Sequence, residues 1–267
     1  MKWRFWGRPR CIARIEINGV INGATRRRVL NALKVVKTQK FPALLLRIDS
    51  PGGTVGDSQE IYSALGALQS QTQIVASFGN VAASGGVYIG MGAPHIVANP
   101  GTVTGSIGVI LRGNNLEELL KKIGVSFKVV KSGPYKDILA FDRELTPEEH
   151  GILQQLIDVS YQQFVHTVAA ARHLPVERVR EFADGRIFTG EQAQALGVVD
   201  RLGTEEDARR WAAELAGLDP ERTPVRTLSG KPRSLWARLR GHAGSSDFSP
   251  ALLPWDYAGV PLWLYSP

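Results

Sequence analysis

A run of six residues, ALLLRI at positions 43–48, restricts the fold more than any other part of this sequence. Its apolar side chains are nearly continuous, whereas a strand with one face in water alternates apolar and polar residues. Such a run is typical of a strand that is buried on both faces of a parallel sheet. Because parallel strands are joined by helical crossovers, the run predicts an α/β core with right-handed βαβ units.

Strand and helix patterns alternate around this run, as such a core requires. Strands are predicted at 12–17, 73–78 and 95–98, and amphipathic helices at 24–38 and around Ile61 and Leu65. The second half is predicted to be mainly helical, with a strand at 125–131 and short helices at 116–123, 175–182, 191–196 and 204–215. A long helix is predicted from Thr146, which with Glu149 forms a capping box, to about Arg172.

Length and composition are those of a globular protein. The chain has 267 residues, of which 43% are hydrophobic, so it can bury a substantial core. We assign residues 11–220 to one domain, residues 1–10 to a basic segment, and residues 221–267 to an extension with a flexible, Gly- and Ser-rich middle. A single cysteine, Cys11, excludes an internal disulfide and a cysteine-built zinc site, and we expect no metal and no cofactor.

Positive charge is concentrated in two short segments, 1–10 and 231–240. They hold eight basic residues and no acidic one, against a net charge of +7 for the chain. Trp3, Trp6 and Trp236 accompany them, and basic residues beside tryptophan suit an anionic membrane surface. A solvated tail explains the pattern equally well, and without a recognisable motif we expect no nucleic-acid partner.

No stretch of the chain has the ~20 consecutive apolar residues of a membrane span, and the first ten residues lack the apolar region of a signal peptide. We therefore expect a cytoplasmic protein, with peripheral contact at the cytoplasmic membrane face as one option.

Ser84 lies where the strand pattern at 73–78 gives way to an apolar helix start. At such a junction the free backbone N–H groups of the first helical turn face the hydroxyl, so a nucleophile and anion-stabilising donors come together. Gly85 and Gly86 remove side chains that would block a substrate backbone. The alternative is that Ser84 is only a helix cap. The loop at 49–53, DSPGG, follows another predicted parallel strand, and loops at this edge of a sheet build active sites.

The base that would activate Ser84 is less evident. No histidine is persuasive, because the five lie in predicted helices, at the start of an apolar strand, or in the tail: His95, His150, His166, His173 and His242. A lysine can accept a proton only if burial or a nearby cation lowers its pKa by about 3 units from ~10.4. Lys136 has apolar neighbours and Ser106 could orient its amine, although an ordinary exposed lysine is the alternative.

Six short segments together resemble the single-domain form of the signal peptide peptidase A family. In order and spacing they are DSPGG at 49–53, AASGG at 82–86, TGSIGV at 104–109, KSGPYKD at 131–137, DGRIFTG at 184–190 and GVVD at 197–200. The resemblance covers residues 10–215 and implies the fold of Clp protease and the crotonases, with repeated β-β-α units and a helical C-terminal part.

The resemblance also implies the chemistry and the partners. Ser84 would be the nucleophile, Lys136 the general base and Ser106 the residue that orients the lysine, with the backbone N–H groups of Gly53 and Gly85 as the oxyanion hole. Peptides would be the substrates. The family assembles as a ring or dome, with an octamer as one option, in which neighbouring protomers share one Ser/Lys dyad.

Many relatives carry an N-terminal membrane anchor, and we expect none in this chain, so cleaved signal peptides would be reached from the cytoplasmic side. General cytosolic proteolysis is the alternative. The apolar C-terminus at 261–267, PLWLYSP, resembles the ending of some relatives, and our hypothesis is that it lies in a substrate groove of the assembled ring.

Two rival functions remain at this point. A crotonase-type acyl-CoA enzyme would need a carboxylate near the Gly-Gly loop, where Asp49 and Asp57 are available. A non-catalytic membrane scaffold could also retain the fold.

Overall fold

The computed structural model describes residues 10–229 and 261–264 of the chain. These residues form two compact units. The first unit contains residues 10–108, 162–229 and 262–264, and the second contains residues 109–161 and 261. Nearly all of both basic segments and the predicted flexible middle lie outside the described residues.

The first unit holds all the described strands. In chain order they are β1 (Ile12–Asn18), β2 (Ala43–Ser50), β3 (Gly52–Thr54), β4 (Gln73–Ala83), β5 (His95–Ala98), β6 (Val103–Gly105), β7 (Ile187–Thr189), β8 (Arg201–Leu202), β9 (Val225–Thr227) and β10 (Leu262–Leu264). Eight of them form one sheet in the order β7-β6-β4-β2-β1-β9, with β5 paired to both β4 and β8. The pairs are parallel except β6 with β7, which confirms the predicted parallel α/β core.

Helices connect and cover these strands. The first unit contains α1 (Gly23–Gln39), α2 (Val55–Gly66), α3 (Gly85–Gly90), α6 (Val176–Arg180), α7 (Gly190–Ala195) and α8 (Glu205–Leu215). The second unit contains α4 (Glu117–Lys122), and α5 (Pro147–Arg172) begins there and ends in the first unit. The α1 start is fixed by Asn22, whose side chain accepts hydrogen bonds from two backbone N–H groups.

Strand β2 lies at the centre of the sheet, between β1 and β4. Its apolar run is buried as the sequence predicts, with Leu44, Leu46 and Ile48 fully inaccessible. Helix α8 covers one face of the sheet through Ala208, Trp211 and Ala212, which join a core cluster with Leu45 and its neighbours. The buried central strand holds the DSPGG segment in a fixed position, because this segment comprises the last two residues of β2, Pro51 and the first two residues of β3.

Two sequence predictions differ from the structure. The domain continues past residue 220, because β9 adds a parallel strand beside β1 at residues 225–227. Residues 125–131 were predicted as a strand, but they are irregular and pair with no described strand, and Val130 is fully exposed. Val125, Phe127 and Val129 alternate with polar residues and fit the strand pattern, but a strand also needs a hydrogen-bonded neighbour.

No helix in the described part of the chain combines the length and the hydropathy needed to cross a bilayer.

Candidate active site

Ser84 occupies the junction between β4 and α3, as predicted, and it is 1% exposed. Its backbone has φ 53° and ψ −115°, a combination that residues with a side chain seldom adopt. Ser84 holds the N-cap position of α3, but its side chain makes no capping hydrogen bond to the helix, so helix capping does not account for this serine. A hydrogen bond stabilises this conformation, since the Ser84 N–H donates to the carbonyl of Gly105 at 2.8 Å. Strained conformations of this kind cluster at active sites.

The backbone nitrogens of Gly53 and Gly85 lie close together beside Ser84. A Cβ atom placed on Gly85 would be 3.2 Å from the nitrogen of Gly53 and 2.8 Å from the hydroxyl of Ser58. A Cβ on Gly52 would be 2.8 Å from the nitrogen of Gly85. Only glycine fits this crowded backbone, so two N–H donors can converge on one small site.

The C-terminal strand β10 lies directly on this site. Leu262, Trp263 and Leu264 pair antiparallel with Thr54, Gly53 and Gly52. The carbonyl oxygen of Trp263 faces the same glycines, 1.9 Å from a Cβ placed on Gly52 and 3.1 Å from one placed on Gly85. An extended peptide backbone therefore binds along β3 in this structure.

The side chain of Trp263 fills an aromatic pocket and is fully buried. Its ring stacks on Tyr88 with centroids 4.0 Å apart and contacts Phe164 at 4.8 Å. Tyr62 packs against Tyr88 in turn, with ring centroids 5.1 Å apart. Burial raises the pKa of the Tyr88 hydroxyl. Sequence reasoning did not identify this pocket, although Tyr88 stands one helical turn after Ser84.

Ser106 is brought to Ser84 by strand pairing. Ala83 pairs with Gly105, so the next residue of each strand is Ser84 or Ser106. Ser106 has φ 50°, is half-buried, and donates its backbone N–H to the carbonyl of Arg186 at 2.7 Å. The structure thus groups Ser84, Ser106, Gly53 and Gly85 in the first unit.

Lys136 belongs to the second unit, in a turn between α4 and α5, and it is exposed. Its neighbour Asp137 is bound by two cations, with Lys131 Nζ at 2.6 Å and Arg143 Nη2 at 2.9 Å from Asp137 Oδ1. Arg143 and Lys131 together lower the pKa of Asp137 to about 2. Lys136 itself forms no ion pair with another described residue. Arg143, which links this turn to α5, is a second residue that the sequence did not single out.

The two carboxylates that a crotonase-type reaction would need are already engaged. Asp49 accepts hydrogen bonds from the backbone N–H groups of Asn80 at 3.2 Å and Val81 at 3.1 Å. Asp57 accepts the Thr54 hydroxyl and pairs with Arg26 at 3.3 Å. These contacts fix the loops around the site.

The described histidines make no hydrogen bond with Ser84. His95 packs on Trp211 with ring centroids 4.6 Å apart, and burial lowers its pKa. His242 lies outside the described residues.

Comparison with known proteins supports a peptidase. The profile of peptidase family S49 matches residues 66–219. A provisionally named protease of Synechocystis sp. is 63% identical over 267 residues, which cover 95% of each chain. A provisionally named signal peptide peptidase SppA of Enterococcus faecium is 37% identical over 210 residues, which cover 74% of this chain and 61% of the other.

Among solved structures, a ClpP1 variant from Listeria monocytogenes superposes with a TM-score of 0.52 at 16% identity, covering 73% of this chain and 93% of that chain. At this identity the likeness shows the fold alone, and it confirms the Clp-like fold expected from the sequence.

Proposed function

The chain belongs to peptidase family S49 and is a serine peptidase; on this premise we propose that Ser84 is its nucleophile and Lys136 its general base. In the proposed reaction the Ser84 hydroxyl attacks a peptide carbonyl while the Lys136 amine takes up the hydroxyl proton. The C–N bond then breaks as Lys136 returns that proton to the leaving amine. Water releases the acyl group from Ser84, with Lys136 again accepting and returning a proton.

The backbone N–H groups of Gly53 and Gly85 form the oxyanion hole in this proposal. Support comes from their closeness to each other and to Ser84. Donors that are fixed before the reaction stabilise the negative charge of the tetrahedral intermediate, and removal of one such donor typically costs about 3 kcal/mol. Ser106, beside Ser84, orients the lysine amine.

The proposal rests mainly on the position of the C-terminal strand β10 in the candidate site. An extended segment, Leu262–Leu264, lies antiparallel along β3 with a carbonyl facing Gly52 and Gly85 and a large apolar side chain in an aromatic pocket. A peptide substrate would bind by the same backbone pairing. We therefore propose extended, apolar peptides as substrates, and cleaved signal peptides are such peptides. General proteolysis of unfolded protein by the same mechanism is the second candidate.

We propose further that one site is completed by two copies of the chain. A lysine base needs a desolvated amine, whereas Lys136 is exposed in the single chain. The second unit also exposes large apolar side chains that a partner could cover, among them Phe127, Val130, Leu156 and Val159. A ring or dome of subunits would bury these side chains. Contact with a membrane through the basic segments concerns residues almost wholly outside the described part of the chain.

The test measures hydrolysis of a leucine-rich peptide and of casein by wild type, Ser84→Ala and Lys136→Ala. The two variants are then mixed in equal amounts after subunit exchange. We expect each variant alone to be inactive, and the mixture to regain about a quarter of the activity if the dyad is shared. Ser63→Ala and Lys128→Ala, at exposed positions, are the matched controls and should remain active.

Activity in either Ser84→Ala or Lys136→Ala would overturn the dyad. Two inactive variants that give no activity when mixed would instead place both residues in one protomer. Preference for the leucine-rich peptide over casein would favour apolar peptides over general proteolysis.

A further inference from the structure

The turn that carries Lys136 is fastened at both ends by charged side chains of the second unit. Lys131 Nζ donates to the carbonyl of Pro134 at 3.0 Å and to Asp137 Oδ1 at 2.6 Å. Arg143 Nη2 donates to the carbonyl of Asp137 at 3.1 Å and to its carboxylate at 2.9 Å. The backbone on either side of Lys136 is therefore held by two cations.

Arg143 also connects this turn to the start of α5. Its guanidinium donates to both carboxylate oxygens of Glu149, at 2.7 and 2.5 Å. Glu149 is 2% exposed and accepts the backbone N–H of Thr146 at 2.9 Å, so its carboxylate is fixed by the helix cap. A planar guanidinium held by two carboxylates has little freedom to move.

These contacts bear on whether the Asp137 carboxylate can pair with the Lys136 amine. Asp137 is adjacent in sequence, and a free carboxylate there would pair with the Lys136 ammonium and favour its protonated form. The charged groups facing the Asp137 carboxylate are Lys131 from the turn, Arg143, and, beyond Arg143, Glu149 from α5. Glu144 is engaged with Asn115, and His150 lines the same cavity as Arg143.

We infer that Arg143 is a positioning residue for Lys136: it holds the Asp137 carboxylate against the start of α5 and so keeps that carboxylate from pairing with the lysine amine. Lys131 assists from the other side. The inference rests on the proposed role of Lys136 as the base. It assigns a purpose to an arginine that contacts neither Ser84 nor the tail.

The test is the pH dependence of kcat/KM for a leucine-rich peptide, whose acid limb reports the pKa of the free enzyme's base. In Arg143→Gln the released Asp137 carboxylate should move this limb to higher pH by about one unit. In Asp137→Asn the cations lose their counter-charge, and the limb should move to lower pH. The double variant restores the local net charge and should return the limb towards that of the wild type.

A purely structural role for Arg143 would lower activity without these opposite shifts, and that result would overturn the inference. Since Arg143→Gln leaves the buried Glu149 carboxylate unpaired, it is measured beside Lys131→Gln, a milder change at a more exposed residue. Lys131→Gln should also move the acid limb of kcat/KM to higher pH. If Lys131→Gln is folded and its acid limb does not move, the inference is overturned as well. Lys136→Ala separates the two proposals. If Lys136→Ala is active, Lys136 is not the base and both proposals fail. If Lys136→Ala is inactive but the acid limbs of Arg143→Gln and Lys131→Gln do not move, only the role of Arg143 fails.

Discussion

Ser84 has a backbone conformation that costs free energy in any residue with a Cβ atom. At φ 53° and ψ −115° the cost is about 1–3 kcal/mol, and the surrounding chain holds the conformation through the Gly105 carbonyl. The fold is therefore less stable by this amount, and in return a buried hydroxyl lies beside the N–H groups of Gly53 and Gly85.

This strain predicts a difference between two inactive variants. Ser84→Gly should unfold at higher urea than Ser84→Ala, with a free energy of unfolding about 1 kcal/mol greater, because glycine adopts positive φ without a steric penalty. Neither variant should hydrolyse peptide. Equal stability of the two variants would show that the backbone at position 84 stores no strain.

Gly52 should be as sensitive to substitution as Ser84, the proposed nucleophile. An alanine there would place Cβ 1.9 Å from the Trp263 carbonyl and 2.8 Å from the Gly85 nitrogen, at φ 107°. We expect Gly52→Ala to lower kcat/KM at least about 100-fold, the scale of losing one oxyanion donor, because a peptide can no longer lie along β3.

Gly56→Ala is the matched control for this substitution. Gly56 lies in α2 with nothing within 4 Å of an added Cβ, and alanine favours a helix by about 1 kcal/mol over glycine. It should keep full activity and gain stability. Unchanged activity in Gly52→Ala would contradict the peptide-binding role of β3.

At the scale of single elements, the sequence predicts helix starts better than strands, because a helix start depends on residues that are close together in the chain. The start of α5 was predicted from Thr146 and Glu149, and both hydrogen bonds of the capping box are present at 2.9 and 3.2 Å. The strand expected at 125–131 does not form in the described chain, because its alternating apolar residues find no hydrogen-bonded neighbour. Pairing between distant segments cannot be read from local sequence.

The Glu149 carboxylate predicts how the stability of the second unit depends on pH. Arg143 and the Thr146 N–H lower the pKa of Glu149 to about 2, against ~4.3 for an unperturbed glutamate. A carboxylate with a lowered pKa contributes stability above its unfolded pKa and loses it as the pH falls through its folded pKa. Thermal midpoints of wild type and Glu149→Gln should therefore differ most at neutral pH and converge between about pH 4.3 and 2. Glu148→Gln, exposed one residue earlier, should show no such trend.

The strand β10 should compete with substrate, since it occupies β3 and the aromatic pocket. A tethered segment acts at a millimolar effective concentration, so its removal should matter even if its own affinity is weak. We expect deletion of residues 261–267, or Trp263→Ala in the full chain, to raise kcat/KM for peptides several-fold. A deletion with no gain in peptide turnover and no loss of assembly would contradict the groove hypothesis.

At the scale of the whole molecule, the exposed apolar side chains of the second unit predict association. Val130 is 101% exposed, and Val159 and Phe127 are each more than half exposed. We expect Val130→Asp to reduce the particle to the 29.1 kDa monomer in sedimentation experiments, with loss of peptide hydrolysis. Val225→Asp, at an exposed valine of the first unit, is the control and should stay assembled and active. A fully active Val130→Asp monomer would rule out a shared site.

The sequence predicted the part of the candidate site that depends on loops at the ends of parallel strands. Ser84, Ser106, Gly53 and Gly85 lie together because β2, β4 and β6 are neighbours, which an α/β alternation leads one to expect. The contacts of Trp263 with Tyr88 and Phe164 join segments about 100 residues or more apart and carry no local signal. The sequence raised a groove role for the tail only as a hypothesis, and the strand pairing of Leu262–Leu264 supplies its geometry.

The stacking of Trp263 on Tyr88 gives the protein a built-in optical reporter. The indole is fully buried, and its Nε1–H has no hydrogen-bond partner among the described residues. An indole in such a dry environment fluoresces at shorter wavelength than one in water. Each peptide that displaces the tail would therefore shift the emission to the red, and the kinetics of entry into the groove could be followed without a label.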